Sequence, residues 1–279
     1  QHHGQQGEPR HQAVGGKILI EEGTFNENVV ASKRLTIQGA GTANTLLNGA
    51  GTIVQLAAGT SNTDRTVMKD LSISGGVTGL TAGSYTTIDN VISTGNSSYG
   101  INLNPLTDLV LTNSSFNANN VGLKLASTAS ASNISISGCH FDNNQQGWYS
   151  DANTDTEPDL DQVSIVNTTF SGNALKGFYT ERLSNAIFDG ITVNNSGSSS
   201  YAWGAGIDIN LKWKDYSNIE VLNSTFSNCG IGSANGVGLT IKARDDGSSY
   251  GANAATLQNV SITANSFSAN NLAIAIGEP

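Results

Sequence analysis

The stretch DLVLTNSSFNANNVGLKL, residues 108–125, decides the fold. Leu109 and Leu111 alternate with polar residues, Phe116 and Asn119 follow at fixed steps, and a glycine, Gly122, opens a second alternation in Leu123 and Leu125. The same phrase returns as SNISISGCHFDNNQQGWYS (132–150), DQVSIVNTTFSGNALKGFYT (161–180), SNIEVLNSTFSNCGIGSANGVGLTI (217–241) and QNVSITANSFSANNLAIAI (258–276). Weaker copies read TTIDNVISTGN (86–96) and SNAIFDGITVNN (184–195). The first apolar position falls at Leu109, Ile134, Val163, Ala186, Ile219 and Val260, in steps of 25, 29, 23, 33 and 41 residues. The phrase stays constant while the spacer grows.

Alternation of period two marks strands with one buried face, and no segment holds a sustained helical period. A unit this short cannot bury its own apolar face, so copies must stack, each strand pairing in parallel with its equivalents above and below. The expected architecture is all-β, a parallel β-helix of about eleven rungs between Lys17 and Ile276. At roughly 4.8 Å per rung the rod is on the order of 50 Å long. Its interior should hold one file of Phe116, Phe141, Phe170, Val193, Phe226 and Phe267, and another of Leu111, Ile136, Ile165, Phe188, Val221 and Ile262. A third file, Asn119, Asn144, Asn173 and Asn270, can pass amide hydrogen bonds from rung to rung.

Composition agrees. Of 279 residues, 32 are glycine and 32 asparagine against 4 prolines, a supply of residues that tolerate left-handed turns. Charged residues make up only 13%, and the net charge of −9 argues against a nucleic-acid backbone or an anionic membrane surface as partner. No 18-residue apolar run is present to span a bilayer. Cys139 and Cys229 lie three copies apart, about 14 Å along the axis at the rung spacing, beyond the ~7 Å a disulfide tolerates, and are expected as free thiols. Residues 1–14, rich in histidine and without apolar period, read as a mobile tail. A copper site at a free Gln1 with His3 is the lesser reading there. The domain is expected over 15–279, and because GEP follows directly on a strand, further coils or a neighbouring copy are expected beyond the C-terminal end.

The opening KILIEEGTFNENVVASKRLTIQGAGTANTLLNG (17–49), together with the asparagine phrase, resembles the right-handed parallel β-helix superfamily of pectin methylesterases and pectate lyases. That resemblance implies an extracellular protein acting on polysaccharide. The catalytic motifs of the known enzymes are not matched: paired aspartates with glutamines are missing, and so is Gly-His-Gly. Asn153-Thr154-Asp155 repeats a polygalacturonase triplet without its partners.

Counting from the glycine of each final strand, positions two and four should point outward. Position two reads Asn102, Lys124, Tyr149, Tyr179, Asp208, Thr240, and position four reads Asn104, Ala126, Asp151, Glu181, Asn210, Lys242. Long spacers follow this strand at 150–161, 210–216 and 242–255, where insertions on one edge can wall a groove. Candidate acids and bases are Glu181, Asp151 and Asp208, since neighbouring carboxyls can push their protonation apart and two carboxyls serve glycoside hydrolysis. Candidate binding residues are the rings of Tyr149, Tyr179, Trp213 and Tyr216 and the cations Lys212, Lys242 and Arg244, which suit a uronate-containing glycan. No metal or other cofactor is expected, with calcium on Asp151, Asp155, Glu157, Asp159 and Asp161 as the alternative. The rival function is a non-catalytic surface, adhesion or filament module that self-associates.

Overall fold

The computed structural model describes residues 15–277, so the expectations about the 1–14 tail and His3 lie outside the described residues. Ten parallel strands form a front sheet from Val29–Ala31 to Ile274–Ile276. A twelve-stranded back sheet starts at Lys17–Leu19 and ends at Thr256–Thr263. A third sheet joins Thr192–Asn194, Thr225–Ser227 and Ser266–Ser268. Every pairing between these strands is parallel, and the ten-strand depth of the front sheet is close to the expected rung count.

Register follows the repeat. Leu111, Ile136, Ile165, Phe188, Val221 and Ile262 pair in sequence up the back sheet. Phe116, Phe141 and Phe170 stack with ring centroids 5.3 Å apart at each step, Val193 takes the place of a ring, and Phe226 stacks on Phe267 at 4.9 Å. Buried amides run beside them: Asn96 Nδ2 donates to Asn119 Oδ1 (3.0 Å), and Asn144 Nδ2 to Asn173 Oδ1 (3.2 Å). Ser196 then stands in for an amide, accepting from the Asn173 backbone N–H at 3.1 Å, and Asn270 Oδ1 accepts from the Cys229 N–H.

The file of glycines has a steric cause. A Cβ on Gly147 would lie 2.4 Å from the Gly177 carbonyl oxygen, and one on Gly122 would lie 2.5 Å from that of Gly147, so only hydrogen fits. Cys139 and Cys229 are buried and free. Among the described residues one four-residue helix, Gly247–Tyr250, interrupts the strands, and no helix is long and apolar enough to cross a membrane.

Candidate functional site

The expected outward rows exist: Lys124, Tyr149, Tyr179, Asp208 and Thr240 are register partners across the front sheet, and Asn210 pairs with Lys242. Their environment differs from expectation. All five residues of Lys176–Thr180 and all seven of Ala205–Leu211 are buried, although alternate side chains leave the core. The cause is a roof. Tyr201 and Trp203, in the spacer before Ala205, come over the sheet, with the Trp203 ring centroid 5.3 Å from Lys242 Nζ and that of Tyr201 5.9 Å from Lys176 Nζ. Beneath them is a cavity of about 220 Å³ lined by Lys176, Tyr179, Glu181, Asp208, Asn210 and Lys212 on its floor. Lys242 and Arg244 close its C-terminal side.

Each carboxylate has its own cation. Asp208 Oδ2 accepts from Lys176 Nζ, and Asp151 Oδ1 lies 2.7 Å from Lys124 Nζ. Glu181 is the most heavily bonded. Its Oε1 accepts from Tyr179 Oη and lies 2.6 Å from Lys212 Nζ, and its Oε2 accepts from the Ala152 backbone N–H at 2.7 Å. The expectation of two adjacent carboxyls competing for one proton therefore meets carboxylates separately matched to ammonium groups. Two acceptors stay unmatched: Asp208 Oδ1 and Asn210 Oδ1 are buried without a hydrogen-bond partner, although Asn210 Nδ2 donates to Tyr179 Oη (3.2 Å). Burial first, then the charge of Glu181, drives the Tyr179 phenol far above its ordinary range, and burial with Asp151 nearby raises Tyr149 to about 12. Both remain protonated phenols near neutrality.

Of the expected residues, the cavity brings together Glu181, Asp208, Tyr179, Lys212, Lys242 and Arg244. Tyr149 and Asp151 sit one rung toward the N-terminus, Tyr149 stacked on Tyr179 at 5.5 Å with Lys124 Nζ 3.9 Å from its ring centroid. Trp213 is outside the lining. Held at φ 63°, it packs on Tyr250 (5.4 Å) and donates to the Ser249 carbonyl, pinning the 242–255 insertion. Tyr216 is outside the front-sheet cavity too: it is the second residue of the back-sheet strand Asp215–Leu222, packs into the core and donates its hydroxyl to the Lys212 carbonyl (2.8 Å). The turn at 212–214 had already carried the chain to the other sheet.

Sequence reasoning missed Lys176, Tyr201 and Trp203. Two aromatic residues within three positions, after the serine-rich run SGSSS in a chain with 6% aromatics, were the available signal. The acids of 151–161 are dispersed: Asp155 accepts from Asn253, Glu157 from the Asn153 N–H, Asp159 pairs with Lys214, and Asp161 accepts from Asn185. No group of three or more His, Cys, Asp or Glu suited to a metal occurs among the described residues. Arg182, almost fully buried, donates to the carbonyls of Pro158 and Ala126, so it braces the insertion rather than serving the cavity.

Residues 32–163 match the family described as right handed beta helix region. No curated protein matches the chain. Among solved structures, the A-module of mannuronan C-5 epimerase AlgE4 from Azotobacter vinelandii aligns with a TM-score of 0.56 at 15% identity, over 94% of this chain and 89% of that one. Tailspike protein gp49 of Acinetobacter baumannii bacteriophage Fri1, a capsular polysaccharide depolymerase, aligns at 0.51 and 12% identity, over 90% of this chain and 57% of that one. The Dettilon tailspike protein aligns at 0.52 and 13% identity, over 93% and 61%. At such identities the likeness is one of fold. Repeat, register, the match over residues 32–163 and the structural likeness together show the fold, a right-handed parallel β-helix.

Proposed function

We propose that the front-sheet cavity binds an acidic, uronate-containing polysaccharide outside the cell and processes it, with Asp208 as the reacting carboxylate. One observation carries this reading: two buried acceptors without partners, Asp208 Oδ1 and Asn210 Oδ1, share a cavity with Lys242, which has no carboxylate within ion-pair distance among the described residues. Buried acceptors left unpaired cost free energy unless a ligand supplies donors. Sugar hydroxyls are such donors, a uronate carboxylate answers Lys242, and Tyr201 and Trp203 offer ring faces for stacking. Polysaccharide-active proteins among the structural neighbours agree with this reading.

Glu181, with three donors on its two oxygens, acts as a positioning residue for Tyr179 and Lys212. Asp208 keeps one oxygen for substrate, so proton transfer or nucleophilic attack falls to it. A non-catalytic binding face is the second reading, favoured because every carboxylate of the site is matched to an ammonium group.

Calorimetry with polyuronates and a neutral glucan, paired with a reducing-end assay, tests both. Binding of polyuronate alone, with product that disappears in Asp208→Asn while folding is kept, supports processing. Binding without product leaves the binding face, and no binding of any uronate polymer refutes both.

A further inference from the structure

The cavity does not end at Lys242. Trp203, Asp208 and Lys242 also border a second hollow of about 190 Å³ on the next coils toward the C-terminus. Its character is different. Ala205, Ala234, Val237, Leu272 and Ala275 make its lining mainly apolar, and its charged residues are Asp208 and Lys242, both shared with the first cavity. Register explains the change: Lys176 is followed by Ala205 and Val237 in one row, and Asp208 by Thr240 and Ala275 in the next. An extended glycan laid along the axis meets successive rungs at about 4.8 Å each, so neighbouring sugars face these two environments in turn.

We propose that this second hollow is a subsite for an N-acetylhexosamine, so that the glycan recognised joins a uronate to an acetamido sugar. The inference rests on the polysaccharide reading of the groove. A homopolymer of uronates would set a second carboxylate against alanine, valine and leucine and beside Asp208, where the one cation of the lining, Lys242, already answers the uronate of the first cavity. An acetamido group fits instead. Its methyl meets the apolar lining, while its amide N–H and carbonyl meet the Asn235 carboxamide and the Thr240 hydroxyl, which also line the hollow. The ring carrying it stays within reach of the Trp203 indole.

Three oligosaccharides of equal length separate the possibilities: alternating glucuronate–N-acetylglucosamine, the same backbone with glucose in place of the acetamido sugar, and glucuronate–rhamnose. Calorimetry should show the acetamido form binding on the order of tenfold tighter than the glucose form, from one buried methyl and one amide contact. Ala275→Leu, which fills the hollow from the last strand, should erase that tenfold difference, while glucuronate alone, small enough to sit in the first cavity, keeps its affinity. Equal affinity for the acetamido and glucose forms would overturn the subsite while leaving the uronate groove standing, and so would a preference for the 6-deoxy sugar alone. Failure of every uronate-containing ligand would remove the groove reading and the subsite together.

Discussion

Asparagine has two separate uses in this chain. Asn113 and Asn167 at bends, and Asn133, Asn218 and Asn259 within back-sheet strands, have φ between 50° and 60° or just below, where a short polar side chain tolerates left-handed backbone. Asn96, Asn119, Asn144 and Asn173 are instead buried, and each amide satisfies backbone groups of neighbouring rungs. Asn144→Ala should therefore cost about 1–3 kcal/mol in urea unfolding, because the buried Asn119 N–H loses its acceptor, whereas Asn133→Gly, at an exposed strand position with φ 55°, should cost little. The thiols give a pH test. Burial raises Cys139 to about 11 from an ordinary 9.0, so an unfolded chain ionises first; stability present below about pH 9 is lost as pH rises through about 11. Cys139→Ala should flatten that alkaline decline, and a thiol reagent at pH 8 should label neither cysteine before unfolding. Both asparagine uses were partly legible, since spacing placed the buried file. The role of Tyr216 was not, because whether a residue after a turn joins the front or the back sheet depends on where the chain bends.

At the scale of strands, the phenylalanine file and the glycine file are the two devices that hold rungs in register. Phe170 stacks on Phe141 at 5.3 Å and meets Phe178 edge-on at 5.9 Å, so Phe170→Ala should cost roughly 3–5 kcal/mol, against a negligible change for the exposed Lys33→Ala. Gly147→Ala should do comparable damage for the opposite reason, since its methyl would press on the Gly177 carbonyl oxygen at 2.4 Å. Thermal melts check both. Outward rows do not all behave as a free surface. Lys124 pairs with Asp151 and covers the Tyr149 ring, and burial lowers its proton affinity. The rows themselves were readable from glycine-anchored counting. Their burial was not, because the roof of Tyr201 and Trp203 comes from a spacer outside the repeat, where no period constrains the residues.

Over the whole molecule, a chain of net charge −9 gathers Lys176, Lys212, Lys242 and Arg244 around one cavity on one face. The three long insertions converge beside it: Trp213 bonds the Ser249 carbonyl, and Asn253 reaches Asp155 across 98 residues of sequence. The repeat fixed the rod, and the departures from the repeat built the site, which is why the fold was more readable than the chemistry. The central claim is that this face holds an acidic glycan lengthwise. A structure determined with a bound uronate oligosaccharide tests it most directly: sugar should run from Tyr179 past Asp208 toward Thr240, with a carboxylate against Lys242 Nζ, whereas sugar seated on the back sheet by Asp159 and Asp215, or none at saturating ligand, would contradict it.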